Sequence, residues 1–82
     1  MQEVIGLIIA TCYKPEHLKG VHRFECLDNF AHFIYKDVGM LARDRDYYVR
    51  QLRNHGRVVI DTEQSVLVAT VVQHASYTLA GK

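Results

Sequence analysis

Proline, cysteine and tryptophan are scarce in this chain, and their scarcity excludes several classes of protein. The 82 residues include one Pro, two Cys and no Trp. Because one Pro and five Gly supply little loop-forming material, no linker divides the chain, and we expect a single domain over residues 1–82. Two cysteines, Cys12 and Cys26, are too few for a disulfide scaffold. Buried free thiols that pack as small hydrophobic side chains are expected instead of a bridge.

The chain also lacks an excess of charge of either sign. Ten Lys and Arg against nine Asp and Glu leave a formal net charge of +1, so whole-molecule charge does not drive binding to nucleic acid or membranes. Any electrostatic function has to come from a local cluster. Hydrophobic residues make up 49% and charged residues 23% of the chain, a balance typical of a folded globular protein rather than a disordered one.

No hydrophobic run is long enough to cross a bilayer. The apolar run at residues 4–10 is far shorter than the roughly 20 residues that a spanning helix needs. The segment before it, Met1-Gln2-Glu3, carries no basic residue, which argues against a signal peptide. We therefore expect a core strand at this position, a cytoplasmic location and no membrane partner.

What the chain has in abundance is apolar sequence without alternation. Residues 4–10 and 66–72 are nearly continuous runs of small and aliphatic side chains. A strand with one face in water alternates apolar and polar residues, whereas an unbroken apolar run predicts burial on both faces. A single helix layer covers only one face of a sheet, so the other face is expected to need a second molecule.

We therefore predict a homodimer that covers this second face. Its interface is expected to hold one alternating set of side chains from the first strand. The preferred set is Ile5, Leu7 and Ile9, and the other possible set is Val4, Ile8 and Ala10.

The order of segments predicts an α+β domain: a small sheet of three to four strands with one long helix packed on one face. The expected strands lie at residues 3–13, 21–26, 57–61 and 66–72. The order is then β-β-α-β-β, or β-α-β-β if residues 21–26 are irregular and residues 15–20 form a helical turn. The last strand is expected to be able to continue to residue 77.

The helix is predicted to begin at Asp28, as its N-cap, and to end before Gly56, in the left-handed position that follows a last turn. An apolar stripe runs along one side of it: Phe30, Ile34, Val38, Leu41, Tyr48 and Leu52. Gly39 interrupts the pattern at a cost of about 1 kcal/mol relative to Ala. It marks a kink or a division into two helices, and we expect one continuous helix.

Arg45 is the residue that tests this phase. On a continuous helix it falls inside the apolar stripe, so it must extend toward water or pair with an acid. Glu3, Asp61 or a partner subunit's carboxylate are the expected acids. A helix that breaks near Gly39 would remove the conflict.

One cluster of residues has the side chains that zinc accepts. Cys12, His17, His22 and Cys26 follow the spacing C-x4-H-x4-H-x3-C. Structural zinc sites instead place one pair of ligands two to four residues apart. If residues 21–26 form a strand, His22 and Cys26 lie roughly 13 Å apart along it and cannot share an ion. We expect no metal, with these four residues as weak candidates.

Catalytic patterns are no stronger. A Cys–His pair can be drawn from either cysteine, but no flanking sequence indicates an activated thiolate. Neither serine lies in a nucleophile elbow, and there is no glycine-rich phosphate loop. We expect a protein that is not an enzyme and has no cofactor.

The last notable pattern is a set of Arg, Lys and Tyr residues on the outer side of the predicted helix. The plain interpretation is a solvated, salt-bridged surface, in which Asp46 and Arg50 form an i,i+4 pair. The functional interpretation is a surface for another protein, since Arg and Tyr are enriched at interface hot spots. Its expected residues are Tyr35, Lys36, Arg43, Tyr47, Arg50 and Arg53.

These patterns favour a small non-catalytic protein-binding domain that acts through a helix face or a sheet edge. It would serve as an adaptor or as a stoichiometric inhibitor, of which phage-encoded inhibitors are one class. The first alternative is a nucleic-acid or nucleotide binder that uses the Arg-rich end of the helix, although Asp44 and Asp46 would repel phosphates. The second alternative is a small zinc-dependent or thiol-dependent protein.

Overall fold

The computed structural model describes residues 6–72 and shows a four-stranded antiparallel sheet with helices on one face. The α+β prediction is confirmed, in its four-stranded form. The elements in chain order are β1 Leu7–Lys14, a 3-10 turn at Glu16–Leu18, β2 Gly20–Phe24, α1 Leu27–His32, a π-helical segment at Phe33–Asp37, α2 Ala42–His55, β3 Arg57–Asp61 and β4 Val66–Val72.

The strand order in the sheet is β2-β1-β4-β3, with every neighbouring pair antiparallel. The two long apolar strands, β1 and β4, therefore lie at the centre, and the two short strands form the edges. Ala10 of β1 lies opposite Ala69 of β4. The register between these strands shifts between Cys12 and Lys14, which indicates a β-bulge at Tyr13. The predicted extension of β4 to residue 77 lies outside the described residues.

Alternate residues of the strands make the core together with the helices. The fully or nearly buried side chains from the sheet are Ile8, Ala10, Cys12, Val58, Ile60, Leu67 and Ala69. The helical side contributes Leu27, Phe30, Phe33, Ile34 and Leu52. Burial alternates within each strand, and the buried residues of the helices recur at helical spacing. The sheet and the helices therefore share one two-layer core.

The prediction of one continuous helix is wrong. The chain instead forms α1 with its π-helical extension, a break at residues 38–41, and then α2. The N–H of Val38 donates to the carbonyl of Phe33, and the N–H of Met40 to that of Ile34, both at 3.0 Å. Gly39 then adopts a φ of +87°, which L-residues other than glycine rarely adopt. Glycine at this position therefore lets the chain leave one helix and start another.

The break has a direct effect on the predicted apolar stripe. Phe30, Ile34 and Leu52 are fully buried as expected. Leu41, however, is 64% exposed, because it stands in an extended conformation as the N-cap of α2 rather than inside a helix. The prediction that Leu41 lies in the core is therefore wrong for the same reason, the assumption of one continuous helix.

The predicted C-terminal end of the helical region is confirmed, and the predicted N-cap is wrong. Gly56 has a φ of +75° after the last turn of α2, and its N–H donates to the carbonyl of Leu52 at 2.8 Å, as predicted. Asp28 is not an N-cap, since α1 begins at Leu27 with Cys26 as its N-cap. The Asp28 carboxylate lies in the first turn, where its charge still suits the positive end of the helix.

Arg45 shows how the break resolves the conflict in the stripe. Its guanidinium lies 4.7 Å from the centre of the Tyr35 ring, and its Nε donates to Asp46 Oδ1 at 2.9 Å. The predicted partner Asp61 is not used, because Tyr35 and Asp46 supply the contacts, and Glu3 lies outside the described residues. The side chain is 28% exposed, so it covers the junction between the π-helical segment and α2 while its charge reaches water.

Within residues 6–72, no helix is both long enough and apolar enough to cross a membrane.

Candidate interaction surfaces

The sheet has a second face, which the helices do not cover. We define the open face as the alternate residues of the four strands on this side: Leu7, Ile9, Thr11, Val21, Arg23, Arg57, Val59, Asp61, Val66, Val68, Thr70 and Val72. Seven of these twelve side chains are Leu, Ile or Val. This face is therefore aliphatic at its centre, with its charged residues on the edge strands.

The register arranges these side chains in rows across the sheet. One row crosses all four strands through Val21, Thr11, Val68 and Val59, and the two edge valines are 64% and 47% exposed. Cross-strand neighbours on one face stand about 4.5–5.5 Å apart at Cβ, so the apolar groups are in contact rather than isolated. The next row contains Ile9, with an arginine at each edge of the sheet.

The extent of the open face is comparable to that of the largest apolar patch on a typical monomer, which is often functional. Four strands at about 4.8 Å spacing, each roughly 20 Å long, give a footprint of roughly 400 Å². Contiguous apolar patches larger than a few hundred Å² are uncommon on monomeric proteins and mark interaction sites. The aliphatic centre of the open face approaches that size.

The residues predicted for the dimer interface lie on different faces of the sheet. Leu7 and Ile9 lie on the open face and are half-buried, while Ile5 lies outside the described residues. The other possible set is wrong where it can be checked, since Ile8 and Ala10 are completely buried beneath the helices. Val4 also lies outside the described residues.

The predicted partner surface divides into two groups because of the helix break. Arg43, Tyr47 and Arg50 form, with Asn54, an exposed row on α2, opposite the buried Leu52. We call these four residues the α2 row. Tyr47 is 51% exposed, and its ring packs edge-on against Tyr48 with centres 5.2 Å apart.

The other predicted residues of this surface lie elsewhere. Tyr35 and Lys36 belong to the π-helical segment, and the Lys36 Nζ lies 6.0 Å from the centre of the Tyr35 ring. Arg53 is exposed on α2 but lies on the side of the helix adjacent to the α2 row. The predicted i,i+4 pair is replaced, since Asp46 bonds to Arg45.

The four residues named as weak metal candidates do not form a metal site. Two of them make hydrogen bonds to backbone carbonyls, and the other two lie on different elements. The Cys12 thiol is buried and donates to the carbonyl of Lys14 at 3.4 Å, and His22 Nε2 donates to the carbonyl of Leu18 at 2.7 Å. His17 is exposed on the 3-10 turn, and Cys26 is buried and not part of a disulfide. Among residues 6–72, no three His, Cys, Asp or Glu side chains are grouped closely enough to hold a metal ion.

His22 has a structural position that the sequence did not indicate. Its ring lies 4.8 Å from that of Phe33, and Phe24 contacts both Phe33 at 5.1 Å and Phe30 at 5.6 Å. This aromatic cluster joins edge strand β2 to α1 and the π-helical segment. The bond to Leu18 places a proton on Nε2, because a carbonyl only accepts.

Two concave regions lie beside α2. A cleft of about 320 Å³ is formed where the helix break meets the β3–β4 turn, with Met40, Leu41 and Tyr48 on one side. Within the turn, the Ser65 N–H donates to Thr62 Oγ1 at 3.0 Å. The exposed side chains of Asp44 and Gln64 also line this cleft.

The second region is a groove of about 270 Å³ between α2 and edge strand β3. Its lining residues are Tyr47, Tyr48, Gln51, Arg57, Val58 and Val59. Sequence reasoning missed this groove, as it missed Val21, Val59, Val68 and Val72 on the open face. The apolar run of β4 indicated that its outer face is buried or bound. The groove and the valine row could be predicted only with knowledge of the strand order.

Comparison with known proteins adds no identification to this geometry. No protein-family model matches the chain, and no curated protein or solved structure is significantly similar to it.

Proposed function

We propose that this chain is a non-catalytic protein-binding domain that forms a homodimer through the open face and binds another protein through the α2 row. The open face is the single observation that carries the proposal. An aliphatic sheet face that its own helices leave uncovered is most simply covered by an identical face, since a two-fold axis makes one patch serve both subunits.

The expected size of the contact supports a second copy. Two footprints of roughly 400 Å² each, with side chains standing out from them, approach the lower range of stable interfaces, about 1,200 Å² of total accessible surface. Burial of apolar surface stabilises by about 25 cal/mol per Å² before the costs of association. The charged side chains Arg23, Arg57 and Asp61 lie on edge strands, where an interface has its polar rim.

Dimerisation through the open face would leave α2 on the outside of the assembly. The α2 row then presents two arginines and a half-exposed tyrosine, the residue types that supply interface hot spots. The partner that this surface suits is a protein with acidic and apolar groups placed to meet Arg50 and Tyr47. Adaptor and stoichiometric inhibitor are both roles that such a surface can serve.

The first test of the proposal is the solution mass of the chain over a dilution series, measured by light scattering. We expect twice the mass of the 9.4 kDa chain at micromolar concentration. Ile9→Asp places two buried charges at the centre of the interface and should give a monomer with unchanged circular dichroism. Gln64→Asp adds the same charge on the exposed β3–β4 turn and should keep the wild-type mass. A monomeric wild type contradicts the proposed dimer.

The second test addresses the α2 row. Arg50→Glu and Tyr47→Ala should each abolish the capture of a protein partner that the wild type retains, with the fold and the mass unchanged. Lys19→Glu has the same change of charge as Arg50→Glu, lies on an exposed connector and should capture the partner normally. Equal loss in all three variants would contradict a binding role for this surface.

The same variants separate a protein partner from a nucleic acid. Binding to phosphates through Arg43 and Arg50 would weaken steeply with salt, and each lost arginine would reduce the salt dependence. Asp44 and Asp46 are exposed on the same helix, so we expect no such binding. A steep salt dependence that Arg50→Ala reduces would overturn the proposal in favour of nucleic-acid binding.

A further inference from the structure

The outer edge of β3 has a defined hydrogen-bonding pattern. The N–H of Val71 donates to the carbonyl of Gly56, and the N–H of Thr62 donates to the carbonyl of Ser65, both at 2.8 Å. In an antiparallel pair, residues whose backbone groups point to the neighbour alternate with residues whose groups point away. Residues 58 and 60 therefore bond to β4. The N–H and C=O groups of Arg57, Val59 and Asp61 point to the outer edge, which no strand of residues 6–72 adjoins.

The side chains of these three outward-bonding residues are complementary to themselves. Arg57 is basic, Val59 is apolar and Asp61 is acidic, and all three are exposed on the open face. When two copies of β3 pair antiparallel around a two-fold axis at Val59, Val59 meets Val59 of the partner subunit. Arg57 then lies opposite Asp61 of the partner subunit, and the same pair occurs again on the other side of the axis.

Among residues 6–72, neither Arg57 nor Asp61 forms an ion pair; an ion pair in this part of the chain joins Arg45 and Asp46. Opposite charges directly across an antiparallel pair stabilise it, and like charges destabilise it. In this register each of the three residue pairs also exchanges two backbone hydrogen bonds. A shift by two residues in either direction would lose both charge pairs, so a single register is favoured.

Helix α2 leaves room for this contact. The groove beside β3 is open, and Tyr47 on its wall is 51% exposed. In a paired arrangement the two grooves face each other across the axis, and the tyrosines of both helices line the space above the joined strands. The aromatic side chains would thus add apolar contact to the backbone pairing.

We infer that the free edge of β3 pairs with β3 of a second copy, so that two sheets join into one continuous sheet of eight strands. This contact is separate from the dimer proposed above. Its two-fold axis runs perpendicular to the sheet, whereas that of a face-to-face dimer lies between the two sheets. Where these two axes intersect at right angles, the two contacts together close a tetramer. Since the edge contact is short, it forms at higher concentration than the face contact.

The experiment that tests this contact is amide hydrogen exchange of the wild type at two protein concentrations. The Val59 amide points to the free edge, so it should exchange quickly in dilute protein and at least roughly tenfold more slowly in concentrated protein. The amide of Val58 bonds within the sheet and serves as the internal control, with little change. Protection of Val59 that does not depend on concentration overturns the inference, because it indicates cover from the same chain.

A charge exchange tests the register. Arg57→Asp and Asp61→Arg should each raise the dissociation constant of the β3–β3 contact roughly tenfold, since each places like charges across the axis twice. The double variant R57D/D61R restores both pairs and should associate within about threefold of the wild type. A double variant as weak as the single ones overturns the inference. So does Val59 protection that appears only when a different protein is added.

These measurements are repeated on Ile9→Asp, which lacks the face contact. We expect this variant to remain able to dimerise through β3 at high concentration, with the same response to the charge exchange. Failure of the face dimer leaves this edge dimer intact, whereas failure of the edge contact leaves the Val59 amide unprotected in every variant. The two proposals therefore fail separately.

Discussion

Both faces of the sheet carry many apolar side chains, but their surroundings are opposite. Ile8 is completely buried under the helices, and Ile9, the next residue in β1, is half-buried on the open face. The difference comes from the helix layer, because both helical segments pack on the same side. Hydrophobicity along a strand therefore predicts that both faces need cover, and the helices of residues 6–72 supply that cover on one face.

The largest effect that separates the two faces is expected from Ile8→Ala and Ile9→Ala. Ile8→Ala leaves a cavity in the core and should lower the free energy of unfolding by about 2–5 kcal/mol. Ile9→Ala removes the same atoms from a face that is open in the monomer, so it should cost less than about 1 kcal/mol there. Urea denaturation at concentrations low enough for monomers measures both values.

The concentration dependence of these two variants sharpens the comparison. In concentrated protein the cost of Ile9→Ala should rise, since the side chain is then buried by the second copy, while that of Ile8→Ala should stay the same. Equal costs for both variants in dilute protein would mean that the open face is covered within one chain.

A smaller effect is expected from the turn that brings the chain out of the helix layer and into the sheet. Gly56 has a φ of +75°, and a Cβ added there meets no atom within 4 Å, so only backbone strain opposes a side chain. Gly56→Ala should destabilise the domain by about 1–2 kcal/mol. Thermal unfolding measures this loss, and Gly56→Asn should lose less, because Asn tolerates the left-handed region better.

The smallest effect is expected at the margin of the covered face, where His22 donates to the Leu18 carbonyl. His22→Phe keeps the ring contact with Phe33 but removes the donor, and should cost about 1 kcal/mol. His17→Phe is the control, since His17 is exposed on the same connector and should be nearly neutral. A similar cost in both variants would show that the bond contributes nothing.

The parts of the fold that followed from sequence are those with a strong local pattern. Strands β3 and β4 begin and end at the predicted residues, and Gly56 ends α2 as expected, because turn residues and apolar runs act over a few positions. The helix break at Gly39 was recognised as an alternative but not chosen. The apolar spacing of Phe30, Ile34 and Leu52 fits one long helix, and only the backbone bonds of the π-helical segment reveal the change of phase.

The interaction surfaces followed from sequence less completely. The need for cover was visible in the unbroken apolar runs, and Leu7 and Ile9 were placed on the open face. The edge strand carrying Arg57 and Asp61 was not singled out, because its position in the sheet depends on strand order. Lys36 was placed on the same side as Arg43 by a helical wheel that assumes a continuous helix, and the break separates them.

The strand order has a consequence for how the protein reaches its fold. The central pair joins β1 to β4, and Leu7 lies opposite Val72, so the middle of the sheet is built from the two ends of the described chain. Contacts between residues so far apart in sequence slow folding, since the intervening chain must be ordered first. During synthesis the two central strands meet only after β4 has left the ribosome. Until then β1 lacks its central neighbour in the sheet, and this is the stage at which a chaperone would protect the chain from aggregation.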